Sequence, residues 1–357
     1  MRIGILGGGQ LARMLTLSGI PLGHEFVVLC PAPDACAAVA STHLKKDFDD
    51  KAALDQLASQ VDLITYEFEN VPAESVEYLA ARIPVYPPPK ALATARDRLH
   101  EKTLFNELGI GTARFAALAS FSDLEQAVEN IGLPAIIKTR TEGYDGKGQA
   151  VIRDKAGLKS AWNAMHGVPA ILEAFVPFDR EVSIVAARSV SGEIVYYPLS
   201  ENRHAEGILR RSTALHDDPI QSLAESWAER LLKHLDYVGV LAIEFFQVGD
   251  TLLVNEMAPR VHNSGHWTIE GAETSQFENH IRAILDLPLG ATRLLAPTIM
   301  LNLIGDIPDS ASVLSVPHAH LHLYGKSARP GRKVGHITVT APDDTSLQKS
   351  IAQLEAL

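Results

Sequence analysis

The chain has 357 residues, of which 46% are hydrophobic and 21% are charged, and 32 lysines and arginines stand against 43 aspartates and glutamates. This composition is typical of a globular protein of roughly two or three domains, and the net charge of −11 argues against nucleic acid or an anionic membrane as a partner. No apolar run approaches the length of a membrane span and only two cysteines occur, so we expect a cytoplasmic protein without a disulfide scaffold.

The first ninety or so residues alternate short apolar runs with segments that suit crossover helices. The runs lie at 3–6, 26–30, 63–66 and 83–86. They are rich in β-branched residues, which predicts a parallel sheet. The prolines at 87–89 can continue neither a central strand nor a helix interior, so they mark a domain boundary.

A glycine-rich turn, residues 7–12, follows the first strand and fits G-x-G-x-x-G/A at the start of a helix. The motif favours dinucleotide binding, but the second strand lacks the acidic residue at its end that would hold a ribose. Two interpretations of the turn stay open: its N–H groups bind an anion, or its glycines allow tight packing. An NAD-linked oxidoreductase is therefore a weak alternative function.

Acidic residues follow the third strand, where open α/β sheets bind their ligands. Glu67, Glu69 and Asn70 lie there. Their carboxylates and amide would bind hydroxyl or amine groups of a substrate, or they would cap the next helix.

A helix is predicted from about residue 90 to Leu108, and the spelling Ser122 to Glu125 predicts a capping box for a second helix. The strand 135–138 then ends in Lys138, and the loop after it contains several glycines and Lys147. Glycine N–H groups can close over phosphates while the lysines supply positive charge. We predict a phosphate-binding lid, with a plain surface hairpin as the alternative.

A further apolar strand, 170–176, contains Glu173, and Glu181 begins the next strand. An extended backbone offers N–H and C=O groups to the edge of an adenine, and a carboxylate nearby can bind both ribose hydroxyls.

Two glutamates lie in a predicted hairpin of strands 238–246 and 251–257, which turns near Gly249. Regular pairing places Glu244 and Glu256 as diagonal neighbours on one face. Two carboxylates among apolar neighbours repel each other unless a cation lies between them, so the pair predicts a Mg²⁺ site shared with nucleotide phosphates. A solvent-facing acidic stripe is the alternative.

The remaining polar segments lie toward the C-terminus. Residues 260–267 follow the hairpin directly and suit substrate recognition, and residues 326–333 carry four cations in eight positions, which favours a phosphate partner. His318, His320 and His322 alternate along a strand, but without a matching cysteine or carboxylate pattern they do not predict zinc.

Six segments together resemble the ATP-grasp superfamily and, within it, the N5-carboxyaminoimidazole ribonucleotide synthetases. They are residues 7–11, 67–71, 143–149, 177–183, 255–266 and 329–336. The resemblance implies an α/β and α+β protein with an ATP-grasp fold. Its domains would be an N-terminal Rossmann-like parallel-sheet domain (1–89), an ATP-grasp domain (90–296) with a lid subdomain at about 112–174, and a small β-rich C-terminal domain (297–357).

The resemblance also implies roles for individual residues. ATP would be bound by Arg98, Lys138, Gly143, Tyr144, Asp145, Gly146, Lys147, Gly148, Gln149, Glu173, Ala174, Phe175, Val176, Glu181, His204, Asn255 and Glu256. Glu244 and Glu256 would hold Mg²⁺, with Mn²⁺ as an alternative. The substrate 5-aminoimidazole ribonucleotide would be surrounded by Glu69, Tyr144, Asp145, Arg260, His262, Asn263, Ser264, Lys326 and Arg332, with the choice between Glu67 and Glu69 open.

The activity implied is an ATP- and bicarbonate-dependent carboxylation of 5-aminoimidazole ribonucleotide through carboxyphosphate, in purine biosynthesis, by a cytoplasmic homodimer. Asp145, Lys147 and Lys326 would be the catalytic residues: Asp145 accepts a proton, Lys147 lies near bicarbonate and Lys326 fixes the substrate. The alternatives are another ATP-grasp carboxylase or ligase and a non-catalytic nucleotide sensor.

Overall fold

The computed structural model describes residues 1–141, 143 and 148–357. The sequence-based assignments made for Tyr144, Asp145, Gly146 and Lys147 lie outside the described residues. None of the helices in the described part of the chain is long and apolar enough to cross a lipid bilayer.

The N-terminal sheet has four parallel strands in the order β3-β2-β1-β4. Its elements are β1 (Arg2–Leu6), α1 (Gln10–Gly19), β2 (Glu25–Leu29), β3 (Thr42–Leu44), α2 (Lys51–Gln60), β4 (Leu63–Tyr66) and α3 (Ala73–Ala80). The predicted strand at 83–86 forms only one bridge, from Val85 to Ile64. The short strand β3 was not predicted because its three residues form no apolar run.

Two helices, α4 (Pro89–Arg96) and α5 (Arg98–Glu107), replace the single helix predicted from residue 90 to Leu108. Asp97 divides them, because its backbone is extended and its carboxylate accepts the N–H of Leu99 at 2.9 Å, which caps α5. The division starts α5 at Arg98.

A second sheet, the lid sheet, contains four antiparallel strands in the order β5-β8-β6-β7. Its elements are β5 (Phe115–Leu118), α6 (Phe121–Ile131), β6 (Ala135–Thr139), β7 (Gln149–Ile152), α7 (Leu158–Asn163) and β8 (Ala170–Ala174). The capping box of α6 is formed by Ser120 and Asp123, so the prediction of Ser122 and Glu125 was wrong. Both pairs have the required spacing, but only Ser120 precedes the first helical residue.

The central sheet has nine strands, in the order β14-β13-β9-β11-β12-β15-β17-β16 with β10 paired to β9. The elements are β9 (Arg180–Arg188), β10 (Ile194–Tyr196), β11 (Ser200–Ala205), β12 (Ile208–Ala214), α8 (Gln221–His234), β13 (Gly239–Val248), β14 (Thr251–Ala258), α9 (Thr268–Gly271), α10 (Gln276–Ile284), β15 (Thr298–Ile304), α11 (Ser310–Leu314), β16 (Ala319–Leu323), β17 (Lys333–Thr340) and α12 (Asp344–Glu355). Strand β15 pairs with β12, so the sheet crosses the predicted boundary at 296–297. The domain limits stay a prediction.

The N-terminal domain is attached to the central sheet by buried contacts. Helix α1 packs against α10, and Leu15 and Ile281 belong to one shared apolar core. His280 joins the two sheets directly, because its Nδ1 accepts the N–H of Val240 at 3.1 Å and its Nε2 lies 2.9 Å from the hydroxyl of Thr65. Burial lowers the pKa of His280 to about 3, so the ring is neutral. These contacts fix the N-terminal domain beside the strands that form the site.

Candidate active site

A cavity of about 650 Å³ lies between the lid sheet, the central sheet and the N-terminal domain. The predicted site residues that line it are Glu69, Arg98, Lys138, Gly143, Gln149, Glu181, His204, Glu244, Asn255, Glu256, Arg260, His262 and Asn263. Those described residues that were predicted but do not line it are Gly148, Glu173, Ala174, Phe175, Val176, Ser264, Lys326 and Arg332. One cavity therefore receives side chains from segments far apart in the sequence.

Glu244 and Glu256 lie directly opposite each other on β13 and β14. Phe245 pairs with Val254, so Asn255 is an extra residue in β14, a β-bulge. The diagonal arrangement predicted from regular pairing was therefore wrong. Burial, and then the opposing carboxylate, raise the pKa of Glu244, which is the behaviour of two acids forced together.

Helix α5 holds this bulge through three charged side chains on one face. Arg98 donates to the carboxylate of Glu256 at 2.8 Å, Glu101 accepts the backbone N–H of the residue after it at 2.6 Å, and Lys102 donates to the backbone carbonyl of the residue before it at 3.0 Å. Burial acts to raise the pKa of Glu256, but Arg98 outweighs it and lowers that pKa. Glu101 and Lys102 were not predicted, although charged residues three and four positions after Arg98 are the pattern of one helix face.

The buried carboxylate of Glu173 is shared by two lysines. It lies 3.0 Å from the ammonium of Lys138 and 3.3 Å from that of Lys102, and its second oxygen has no hydrogen-bond partner. Burial lowers the pKa of Lys138, although the carboxylate opposes that shift. Of the three groups only Lys138 lines the cavity, where its charge is available to an anion.

The opposite wall of the same end carries an acid, an imidazole and an aromatic pair. Nδ1 of His204 bonds with the carboxylate of Glu181, and Phe178 stacks on Phe246 with ring centroids 4.8 Å apart. Burial acts to lower the pKa of His204, but its bond with Glu181 outweighs that effect and raises it. All four side chains line the cavity, so a flat apolar surface lies next to polar groups.

The glycine-rich turn binds an internal anion. The carboxylate of Glu67 accepts the backbone N–H groups of Gly9 and, at 2.9 Å, Ala12 at the start of α1. A side chain on Gly7 would collide with Glu67, and a Cβ on Gly9 would lie 2.8 Å from its oxygen. The glycines therefore make room for Glu67, which occupies the position that a dinucleotide pyrophosphate would need.

At the other end of the cavity, Glu69 forms an ion pair with Arg260, with 2.9 Å from Oε1 to Nη2. Burial acts to raise the pKa of Glu69, but the guanidinium outweighs it and lowers that pKa. Beside the pair, both polar atoms of the Asn263 side chain are buried without a hydrogen-bond partner. An unpaired buried amide costs free energy, so this arrangement suits a ligand that bonds to it.

The basic segment meets the N-terminal domain at this end. Lys326 donates to the side chain of Gln10, which lines the cavity, and Arg332 donates to Ser327 at 2.8 Å. Burial lowers the pKa of Lys326. Lys333, at the start of β17, lines the cavity and was not among the predicted site residues. The sequence thus located the segment but not which of its cations faces the cavity.

The alternating histidines of β16 lie away from this cavity. His322 contacts Glu270 at 2.6 Å and stacks on His336 with ring centroids 4.4 Å apart. Among residues 1–141, 143 and 148–357, no group of three or more histidines, cysteines, aspartates and glutamates could hold a metal ion. Glu244 and Glu256 form a pair of carboxylates, which fits an ion that takes its other ligands from phosphates and water.

Three family models match successive parts of the chain. They are the ribonucleotide synthetase preATP-grasp domain at residues 1–96, the ATP-grasp domain at 103–277 and the phosphoribosylaminoimidazole carboxylase C-terminal domain at 298–350. The N5-carboxyaminoimidazole ribonucleotide synthase of Pseudomonas aeruginosa is 55% identical over 357 residues, which cover 100% of this chain and 99% of the relative. The chain belongs to the N5-carboxyaminoimidazole ribonucleotide synthase family.

Solved structures of this family have the same fold. The N5-carboxyaminoimidazole ribonucleotide synthetase of Thermus thermophilus superposes with a TM-score of 0.96 at 54% identity, covering 99% of this chain and 98% of that chain. The synthase of Aspergillus clavatus in complex with ADP and 5-aminoimidazole ribonucleotide superposes with a TM-score of 0.91 at 32% identity, covering 100% and 99%. The predicted ATP-grasp fold is therefore confirmed.

Proposed function

We propose that this chain catalyses the ATP- and bicarbonate-dependent carboxylation of 5-aminoimidazole ribonucleotide to N5-carboxyaminoimidazole ribonucleotide. The observation that carries the proposal is the single cavity, with Lys138, Glu181 and His204 at one end and Glu69, Arg260 and Asn263 at the other. Glu244 and Glu256 line the same cavity. This arrangement suits a nucleotide triphosphate and a second substrate bound with their reacting groups facing each other.

The nucleotide would occupy the end lined by the stacked pair Phe178 and Phe246. The aromatic surface suits a purine base, and the Glu181 carboxylate suits ribose hydroxyls. Lys138 would then meet the phosphates, and Arg98 would reach them beside Glu256. The assignments of Gly143 and Gln149 to the nucleotide agree with their places in the cavity wall.

Mg²⁺ would be held by Glu244 and Glu256, or Mn²⁺ in its place. Their opposed carboxylates and the raised pKa of Glu244 fit a divalent cation, because its charge would relieve the repulsion between the two acids. Bound there, the ion would neutralise phosphate charge and orient the triphosphate for transfer.

5-Aminoimidazole ribonucleotide would occupy the end formed by Glu69, Arg260 and Asn263. The unpaired amide of Asn263 offers one donor and one acceptor, and the Glu69–Arg260 pair offers charge of both signs. Lys326, Arg332 and the newly found Lys333 supply positive charge for the ribonucleotide phosphate. Ser264 is fully buried behind His262 and would act through it.

The reaction would run in three steps. An oxygen of bicarbonate attacks the γ-phosphorus of ATP, the bond from that phosphorus to the bridging oxygen breaks, and ADP leaves with the electron pair. The resulting carboxyphosphate breaks its carbon–oxygen bond to release CO₂ and phosphate within a cavity that limits access of water. The amine of the ribonucleotide attacks the carbon of CO₂ and loses a proton, for which Asp145 is the acceptor predicted from the sequence.

Release of ADP tests the proposal. With ATP, Mg²⁺ and bicarbonate present, ADP release should depend on 5-aminoimidazole ribonucleotide, and carbon from labelled bicarbonate should appear in a carbamate. Glycinamide ribonucleotide, the acceptor of a related kind of ligase, should give no increase above background. Equal ADP release with both ribonucleotides would contradict the proposed substrate. The homodimeric assembly and the cytoplasmic location implied by the resemblance belong to the same proposal.

A further inference from the structure

The hydrogen bonds around His262 determine which of its ring nitrogens carries the proton. Nδ1 lies 3.3 Å from the backbone N–H of Ser264 and 2.9 Å from its hydroxyl. A backbone N–H only donates, so Nδ1 is the acceptor and the neutral ring carries its proton on Nε2. Nε2 lies 3.2 Å from a carboxylate oxygen of Glu244, so that proton faces the carboxylate.

A chain of buried polar side chains leads from the central sheet to this ring. The hydroxyl of Ser212 donates to Oδ1 of Asn202 at 2.7 Å, and Nδ2 of Asn202 donates to Oγ of Ser183 at 2.9 Å. The hydroxyl of Ser183 donates to Oγ of Ser264 at 2.8 Å. All four side chains are buried, so water does not compete for these bonds.

The direction of the chain depends on the amide of Asn202. A serine hydroxyl can donate in either direction, whereas an amide nitrogen only donates. Because Nδ2 of Asn202 donates to Ser183, the Ser183 hydrogen turns toward Ser264. Oγ of Ser264 then accepts from Ser183, and its own hydrogen is directed to Nδ1 of His262.

We propose that Asn202 is a positioning residue whose amide, acting through Ser183 and Ser264, holds the His262 proton on Nε2 against Glu244. Asn202 lies on β11, two hydrogen-bonded side chains away from His262, and it does not line the main cavity. With a lone pair on Nε2 instead, the ring would repel the Glu244 carboxylate. The role of Glu244 as a metal ligand rests on the proposed function, but the position of the His262 proton does not.

Asn202→Asp tests the direction of the chain with almost no change of shape. A carboxylate replaces the donor, so the Ser183 hydrogen turns toward it and the Ser264 hydrogen turns toward Ser183. His262 should then move its proton to Nδ1. In metal-free full-length protein with ¹⁵N-labelled histidine, the ring nitrogen shifts report the tautomer, and His262→Gln assigns the signals by removing them.

Two further variants control the experiment. Asn279→Asp buries the same new carboxylate in a fully buried site without a bond to His262, so it should lower stability and leave the tautomer unchanged. Asn202→Ala covers the case in which Asn202→Asp does not fold, and it should reduce the Nε2–H fraction because Ser183 is free to turn. An unchanged tautomer in both Asn202 variants would overturn the proposal.

Metal binding separates this proposal from the proposed function. Titration of Mn²⁺ with ADP should show an affinity about tenfold weaker in Asn202→Asp than in the parent chain, the effect typical of a lost outer-shell bond. A changed tautomer with unchanged Mn²⁺ affinity would support the positioning of His262 and contradict the metal role of Glu244. A changed tautomer together with weaker Mn²⁺ binding supports both.

Discussion

Glu67 accepts the backbone N–H of Ala12 at 2.9 Å, so the end of β4 is bonded to the first turn of α1. A carboxylate at this position interacts favourably with the positive end of the helix dipole. We predict that Glu67→Gln lowers the free energy of unfolding by about 1–2 kcal/mol, since the side chain keeps its size but loses its charge. Urea unfolding measures the change. Glu74→Gln, an exposed acid in the first turn of α3, should change it by less than about 0.5 kcal/mol, and an equal loss in both variants would contradict the interpretation.

Glu101 supplies the acceptor for the backbone N–H of Met257 at 2.6 Å, and it is almost fully buried. Glu101→Gln keeps an acceptor oxygen, so we expect nearly unchanged stability and turnover. Glu101→Leu leaves the N–H without a partner and should cost about 1–3 kcal/mol of unfolding free energy. It should also weaken Mg²⁺-dependent nucleotide binding, because the bulge that places Glu256 loses one of its bonds. Equal behaviour of the two variants would show that the bond is unimportant.

Glu244 and Glu256 are expected to make nucleotide binding depend on the metal. Glu244→Gln and Glu256→Gln should each lower the affinity for ADP in the presence of Mg²⁺ by about tenfold or more, and chelation of the metal should lower it similarly in the parent chain. Isothermal titration with and without Mg²⁺ measures both effects. Adenosine, which has no phosphates, serves as the control and should bind all variants alike. Metal-independent ADP binding in the parent chain would remove the metal assignment.

Asp97 should make stability depend on pH in the acid range. Burial acts to raise its pKa, but the bond from Arg140, 3.0 Å from Nε to Oδ1, and the α5 N–H groups outweigh it and lower that pKa. Because the folded pKa lies below the unfolded value of about 4, this contribution is complete above pH 4 or so and is lost as the pH falls through the folded pKa.

Asp97→Asn keeps a capping side chain but removes the charge, so its unfolding free energy should fall less steeply between about pH 5 and pH 2.5. Arg140→Met should flatten the same part of the profile from the partner's side. Parallel acid profiles for the parent chain and both variants would exclude this pair as a source of acid sensitivity.

Much of the architecture could be predicted from hydrophobic patterns and punctuation. The strands β1, β2 and β4, the hairpin of β13 and β14, and the convergence of Glu244, Glu256, Lys138 and Arg260 were all anticipated. These features depend on local periodicity and on the rule that ligands bind at strand ends, and both can be recognised in a single sequence.

The errors have local structural causes. A bulge at Asn255 changes the register by one residue without any glycine to announce it, so Glu256 could not be placed opposite Glu244 from the sequence. Glu67 and Glu69 have the same composition around them, and only tertiary contacts assign one to the α1 N-terminus and the other to Arg260. Lys102 carries a charge but is fully buried, because Glu173 arrives from a distant strand.

The pairing of β12 with β15 has a consequence for how the polypeptide can be divided. A chain shortened to end at residue 296 would leave the backbone groups of β12 uncovered along one side, an open template for another molecule. Such a fragment is expected to aggregate instead of surviving as a smaller enzyme. The last part of the chain therefore belongs to the same folding unit as the nucleotide-binding strands, and deletions there would be felt at the catalytic centre.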